Sequence, residues 1–177
     1  MIFLVVIASL NSQDLEKVFQ IGKSSSKLLL QTLGKNLKQH MKKDGIKGAV
    51  NFCSENALAI TYEVSEKLGE NISVKRISTK YRNPYNKPTK TEAKILFQLE
   101  NNKFPILTKV KDGEYKFYKP LRISKPICLK CHGKGVDMPE IARRTLHHLY
   151  PNDKATGYEF GDLRGAIVVT IKTEEKK

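Results

Sequence analysis

The chain has 177 residues, 40% of them apolar, with seven Phe, seven Tyr and no Trp; that suffices for one core with a ligand pocket and falls short of two full domains. Lysine and arginine outnumber acidic residues to leave a formal net charge of +14. The lysines are dispersed and no nucleic-acid-binding signature accompanies them, so the charge reads as a solvated surface suited to an acidic protein partner rather than to DNA or RNA.

Ile2 to Leu10 is an apolar run followed by Asn11, Ser12 and Gln13. A membrane span needs about 20 apolar residues, so no stable span is expected here. The run instead has the length of a secretory signal core, with cleavage after Ser9 or Ser12, although no basic residue precedes it. Residues 1–12 are accordingly read as a signal peptide and 13–177 as one exported, periplasmic domain, helical over 13–70 and sheet-forming with a cofactor site over 71–172.

From Gln13 to about Lys43, Leu15, Val18, Phe19, Leu29, Leu33, Leu37 and Met41 recur at helical steps. Gly22 and Ser24-Ser25-Ser26 predict a bend in the middle, and Asp44-Gly45 a turn. Ile46, Val50, Cys53, Ala57, Ile60 and Val64 then follow at spacings of 4, 3, 4, 3 and 4, one apolar face of a second helix ending near Leu68-Gly69. Ser73–Ser78 alternates like a strand, and Arg82–Pro88 is turn-rich. Thr91–Glu100 is expected to be a helix with Ala93, Leu96, Phe97 and Leu99 inward. Phe104–Val110 and Glu114–Ile123 read as strands joined at Asp112-Gly113. A tight helical turn is expected after Pro126, then a helix over Met138–Leu149 capped by Asp137, a glycine-bounded turn over Tyr158–Gly165, and a last strand over Ala166–Ile171. From Lys172 the tail is expected to fray. Helices followed by hairpin-linked strands indicate α+β with an antiparallel sheet.

The chemistry concentrates in Cys128-Leu129-Lys130-Cys131-His132. Cys-x-x-Cys-His is the attachment signature of c-type haem. Two thiols one helical turn apart can form thioethers with two vinyl groups on one porphyrin edge, and the adjacent histidine reaches the iron. Gly133 and Gly135 present no side chain to the macrocycle. Zinc on Cys128, Cys131 and His132 would want a fourth ligand from a second knuckle, and no other Cys-x-x-Cys exists; a thioredoxin-like pair would want a βαβ pattern. One haem c per chain is therefore expected. Cys53 has two readings, a small buried hydrophobe or a thiolate on the second axial position, and the spacing leaves both open. His147, His148, Met138, His40 and Met41 are weaker axial candidates. Arg76, Lys80, Arg82, Arg122 and Arg164 are candidates for the propionates, and Tyr81, Phe117 and Tyr118 for the pocket lining.

Several segments occur together in order. They are Ala49–Ser54, Lys75–Pro88 with its Arg82-Asn83-Pro84, Tyr118–Ile123, the Cys128–Gly133 segment, Tyr150–Tyr158 and Gly161–Ala166. Together they resemble the single-haem c-type family of exported bacterial proteins with a PAS-like domain, over nearly everything after the signal run. The resemblance implies a PAS-like antiparallel sheet flanked by N-terminal helices, and haem held by Cys128 and Cys131 with His132 on the iron. It further implies Cys53 as the second axial ligand and Arg82 and Asn83 near the haem. Direct signalling in cis through a kinase, cyclase or other output domain is not expected of this chain.

Three functions follow as expectations. A redox- or gas-responsive sensor would use six-coordinate His/Cys haem, displacement of Cys53 by an agent such as NO or CO, and a signalling partner. A small electron-transfer cytochrome would need an exposed haem edge and an acidic partner. A haem peroxidase would need a distal histidine–arginine pair, and no convincing one is present, so no enzyme is expected. Oligomeric state is not legible.

Overall fold

The computed structural model describes residues 12–173; the signal-peptide reading falls outside them but for Ser12. The long helix α1 (Ser12–Leu68) is interrupted at Gly45, whose φ of 64° and ψ of −158° leave the helical region. The break reverses the chain. A straight helix would put Val18 and Val64 almost 70 Å apart at 1.5 Å per residue, yet both lie in one apolar cluster. Likewise His40 stacks on Phe52, ring centroids 4.6 Å apart, across the break. α1 is thus a hairpin of two limbs, 12–44 and 46–68, as the Asp44-Gly45 turn predicts.

The bend expected near Gly22 is absent, since the first limb runs unbroken through it. Gly22, Ser25 and Ser26 are buried instead. A Cβ on Gly22 would come within 2.5 Å of Phe117 Cβ and 2.8 Å of its Cδ2, and nearer still to Cγ. The small residues therefore let the limb approach the sheet, and tertiary packing overrides their weak helix propensity.

After α1 come β1 (Ile72–Ile77), a 3₁₀ turn (Pro84–Asn86), α2 (Lys90–Asn101), β2 (Ile106–Lys111) and β3 (Glu114–Arg122). The chain ends with α3 (Pro126–His132), α4 (Glu140–Leu149) and β4 (Leu163–Lys172). One antiparallel sheet has the order β1-β4-β3-β2, so the last strand is central. Its register sets Val169 beside Val74 and Phe117, and Val168 beside Tyr118.

Both faces of the sheet are covered, which explains the continuous β-branched run of β4. Val74, Tyr115, Phe117, Ile167, Val169 and Ile171 face the α1 limbs through Val18, Leu29 and Val64. Ile77, Tyr118, Ala166 and Val168 face α2 through Leu96 and Leu99. Phe117 and Tyr118 belong to this core. α2 begins one turn-residue earlier than Thr91 suggests: Thr89 caps it in a reciprocal capping box with Glu92. Glu92 is only 1% exposed and meets Lys75 Nζ of β1 at 2.7 Å and Lys116 Nζ of β3 at 3.6 Å. With Glu92 turned to the sheet, Phe97, expected inward, is 68% exposed. At the far end, Lys172 and Thr173 donate backbone bonds to Asn71 and Gly113, so the tail is paired at its start.

Candidate functional site

α3 carries the Cys-x-x-Cys-His segment. Pro126 occupies its first turn, where a missing N–H costs nothing. The helix closes when Gly133 donates to Leu129 O at 2.8 Å. A Cβ on Gly133 would meet Asp137 Cβ and Leu129 O, each at 2.7 Å, so this glycine is required by the chain's own turn. Asp137 does not cap α4, which begins after Pro139; it accepts from Lys134 N at 2.9 Å and tightens that turn.

The two motif thiols point into different surroundings. Cys128 packs with Ile123, Ala155 and Tyr158, and Cys131 with Val50, Met138 and Leu146. A cleft of about 470 Å³, lined among others by Met138, Arg143, Leu146, His147, Tyr150 and Thr156, adjoins the second group. His132 is held from two sides. Its Nδ1 lies 2.8 Å from Ala155 O and must donate to it, which leaves Nε2 as the ring's free lone pair. Tyr158 meets the imidazole edge-on at 6.3 Å. Burial, with the Arg164 and Arg82 charges, pushes the His132 pKa well below its usual range and keeps the ring neutral.

Cys53, on the second limb of α1, is half-buried. Burial raises its pKa, opposed by the nearby Arg76 and Arg82 guanidinium groups. Burial also pushes the Cys131 thiol up to about 11, and the charges on Cys53 and Cys128 add to the rise against the Arg82 guanidinium. Cys53 and Cys131, remote in sequence, are therefore electrostatic neighbours. Tyr150 joins them, since its phenol pKa is raised by burial and by Cys53.

The predicted cations separate by partner. Arg122 gives its guanidinium to Gly161, Leu99, Glu100 and Asn102 carbonyls, tying off α2. Lys80 donates to Thr156 O. Arg82 pairs with Asp153 and donates to Cys131 O and Ala155 O. Asn83 accepts from Tyr85 N and starts the 3₁₀ turn. Arg76 donates to Ala57 O beside Cys53, and Arg164 to Ser78 Oγ and Lys80 O. The Nε atoms of Arg76 and Arg164 are buried without a hydrogen-bond partner. Such orphaned cationic donors suit a ligand that brings carboxylates into the site.

Of the weaker axial candidates, His147 lines the cleft but is exposed, as is His148. Met138 is buried beside Cys131, and His40 is occupied with Phe52. Tyr81 lies under Lys154. Among the described residues no three His, Cys, Asp or Glu side chains converge as an ion site. None of the described helices is long and apolar enough to cross a membrane. Sequence reasoning assigned no role to Asp153, Ala155 or Tyr158, which orient His132; the only local signal is Asp153 two residues before Ala155, an Asx-turn spacing.

This arrangement has a relative among solved structures. The crystal structure of the cyanobacterial heme-protein Tll0287 superposes with a TM-score of 0.60 at 21% identity, over 95% of this chain and all of that one; at that identity the likeness establishes a shared fold. No curated protein matches the chain. The model of one family, Tll0287-like, matches residues 10–172, nearly the whole length, so the chain belongs to the Tll0287-like family.

Proposed function

We propose that this chain is an exported c-type haem protein acting as a redox- or gas-responsive sensor, with one haem c held by Cys128 and Cys131 through thioethers and by His132 and Cys53 on the iron. The observation that carries the reading is the packing of Val50, one helical turn before Cys53 on the same limb, against Cys131 of the motif, with Cys53 close enough to act on the Cys131 thiol. The orphaned Nε atoms of Arg76 and Arg164 support it as partners for propionates, and so does the shared fold with a heme-protein. The haem would supply one-electron redox chemistry and a site for a diatomic ligand.

The chain's residues hold and orient. Ala155 O fixes the His132 tautomer, with Nε2 as the donor. Met138, Leu146 and Tyr150 pack around Cys131 and give that thiol an apolar surrounding. Cys53 is the one proposed ligand supplied by α1, whereas the others come from a single turn. Whether Cys53 is bound is thereby coupled to the packing of the second limb on β1 and α4, a packing change that a protein partner can read. The antiparallel sheet with helices on both faces is the PAS-like module of this reading. Covalent haem attachment outside the cytoplasm and the apolar run Ile2–Leu10 support a periplasmic location, and no catalytic activity is proposed.

Absorption spectra of the ferric and reduced protein, with and without CO, test this. Wild type should be low-spin and resist CO, while Cys53→Ala should bind CO readily. Equal CO binding by both would remove Cys53 from the iron, and absence of haem bands after expression in a haem-attaching host would overturn the whole reading. The net charge of +14 favours a second reading, an electron-transfer cytochrome. Electron exchange with an acidic partner that falls steeply with salt would support it.

A further inference from the structure

Arg82 and Asp153 are the most enclosed ion pair at the site, with side chains 12% and 10% exposed. Arg82 Nε and Nη2 both reach Asp153 Oδ2 at 3.0 Å. Nη2 also donates to Cys131 O at 2.6 Å and leans on Ala155 O at 3.4 Å. The other carboxylate oxygen, Asp153 Oδ1, accepts from Ala155 N at 2.8 Å. The Ala155 peptide is thus gripped at both ends, and its carbonyl is the acceptor for His132 Nδ1. Two further bonds run residues 153–158 alongside the motif: Gly157 N to Gly133 O at 2.8 Å and Tyr158 N to His132 O at 3.0 Å.

Nε and Nη2 of Arg82 are therefore committed to this chain's own acceptors. That argues against Arg82 as a partner for the propionates and for a structural role directed at the histidine. We infer that Arg82 and Asp153 form a positioning pair that fixes the direction of His132 by clamping the Ala155 carbonyl to which its Nδ1–H is bound. The inference rests on the proposed haem reading for its consequence, namely a single orientation of the His132 ring at the iron. The clamp itself stands on the hydrogen bonds above. Outer-shell partners of a metal-bound histidine typically influence binding or activity 10- to 100-fold.

The test separates position from charge. Haem-loaded wild type, Arg82→Gln, Arg82→Lys and Asp153→Ala are compared in the reduced state by NMR. The readout is solvent exchange of His132 Nδ1–H and Ala155 N–H, with Val169 N–H in the central strand as reference. Positioning predicts at least about tenfold faster exchange of both site protons in all three variants, as expected for loss of a hydrogen bond to a charged group, although their net charges change by −1, 0 and +1, with Val169 unaffected. An effect confined to Arg82→Gln, absent from Arg82→Lys or opposite in Asp153→Ala would show that Arg82 acts only as a charge and would overturn the inference. So would equal acceleration at Val169, which signals general destabilisation. Failure of the haem reading is seen separately, as wild-type protein without covalent haem by mass. In that case Ala155 N–H exchange still decides whether the clamp exists.

Discussion

Replacing Gly22 with alanine sets two physical effects against each other. Alanine is favoured over glycine in a helix interior by about 1 kcal/mol. At this position, however, the added Cβ would lie 2.5 Å from Phe117 Cβ, an atom that no side-chain rotation can move aside. Phe117 is wholly buried and pinned by pairing with Leu107 and Val169 and by Phe19 edge-on at 5.1 Å. The first limb must then lift from the sheet. Overpacking of this kind costs about 1–3 kcal/mol, and the immobility of the clashing atom places it at the upper end, for a net loss of about 1–2 kcal/mol. Gly34 is the control. It lies in the same limb, and a Cβ there meets nothing within 4 Å, so Gly34→Ala should gain about 0.5–1 kcal/mol. Urea unfolding followed by circular dichroism, with all three proteins in the same haem state, should therefore order them Gly34→Ala, wild type, Gly22→Ala. In thermal unfolding, at about 2–4 °C per kcal/mol for a chain of this size, the two variants should be separated by roughly 3–12 °C in Tm. If Gly22→Ala stabilises as Gly34→Ala does, the close helix–sheet approach is refuted.

Other expectations follow from the buried charges and thiols. Burial alone would raise the Glu92 pKa, but the Lys75 bond, the Thr89 N–H and Lys116 outweigh it and hold the carboxyl below its usual 4.5. A lowered folded-state pKa contributes stability above 4.5 that is lost as pH falls through the folded value. Stability should accordingly drop on acidification below about 4.5, and Glu92→Gln should flatten that limb of the pH profile; an unchanged profile would exclude Glu92 as its source. In haem-free protein the Cys131 thiol, raised from 9.0 to about 11, should hold roughly a hundredfold less thiolate at pH 8 than in the unfolded chain. Iodoacetamide labelling followed by peptide mass analysis should slow to match, and labelling at the unfolded rate would contradict the burial of Cys131. In the same preparation Cys53 should also label more slowly folded than unfolded, because burial raises its pKa as well.

Local patterns were the legible part. The 4-3-4-3-4 spacing from Ile46 to Val64 marks a helix because each position returns to one face, and in the fold Val50, Ala57 and Val64 are buried. Asp112-Gly113 marks a hairpin because the turn is built from its own residues. Phe97 and the Gly22 region misled for one reason: periodicity reports that a residue is apolar or small, whereas its neighbour decides whether that is used. Glu92 took the buried place by finding Lys75 and Lys116 on two strands, and Gly22 admitted Phe117.

The same division runs through the site. The chain by itself determined the Cys128–His132 segment, because thiols three residues apart and an adjacent imidazole lie on one helical turn whatever surrounds them. It also determined the antiparallel pairing of β2 with β3, since strands joined by a hairpin can pair no other way, whereas the placing of β4 between β1 and β3 was left to tertiary structure. Tertiary structure alone decided that the limb carrying Cys53 packs on that turn, because the reversal at Gly45 and the packing of the second limb set Val50, one turn before Cys53, against Cys131. It alone decided that Arg82 grips Asp153 and two carbonyls. A guanidinium reads the same in sequence wherever it points, and its partner is chosen by which acceptors folding leaves dry and within 3 Å or so.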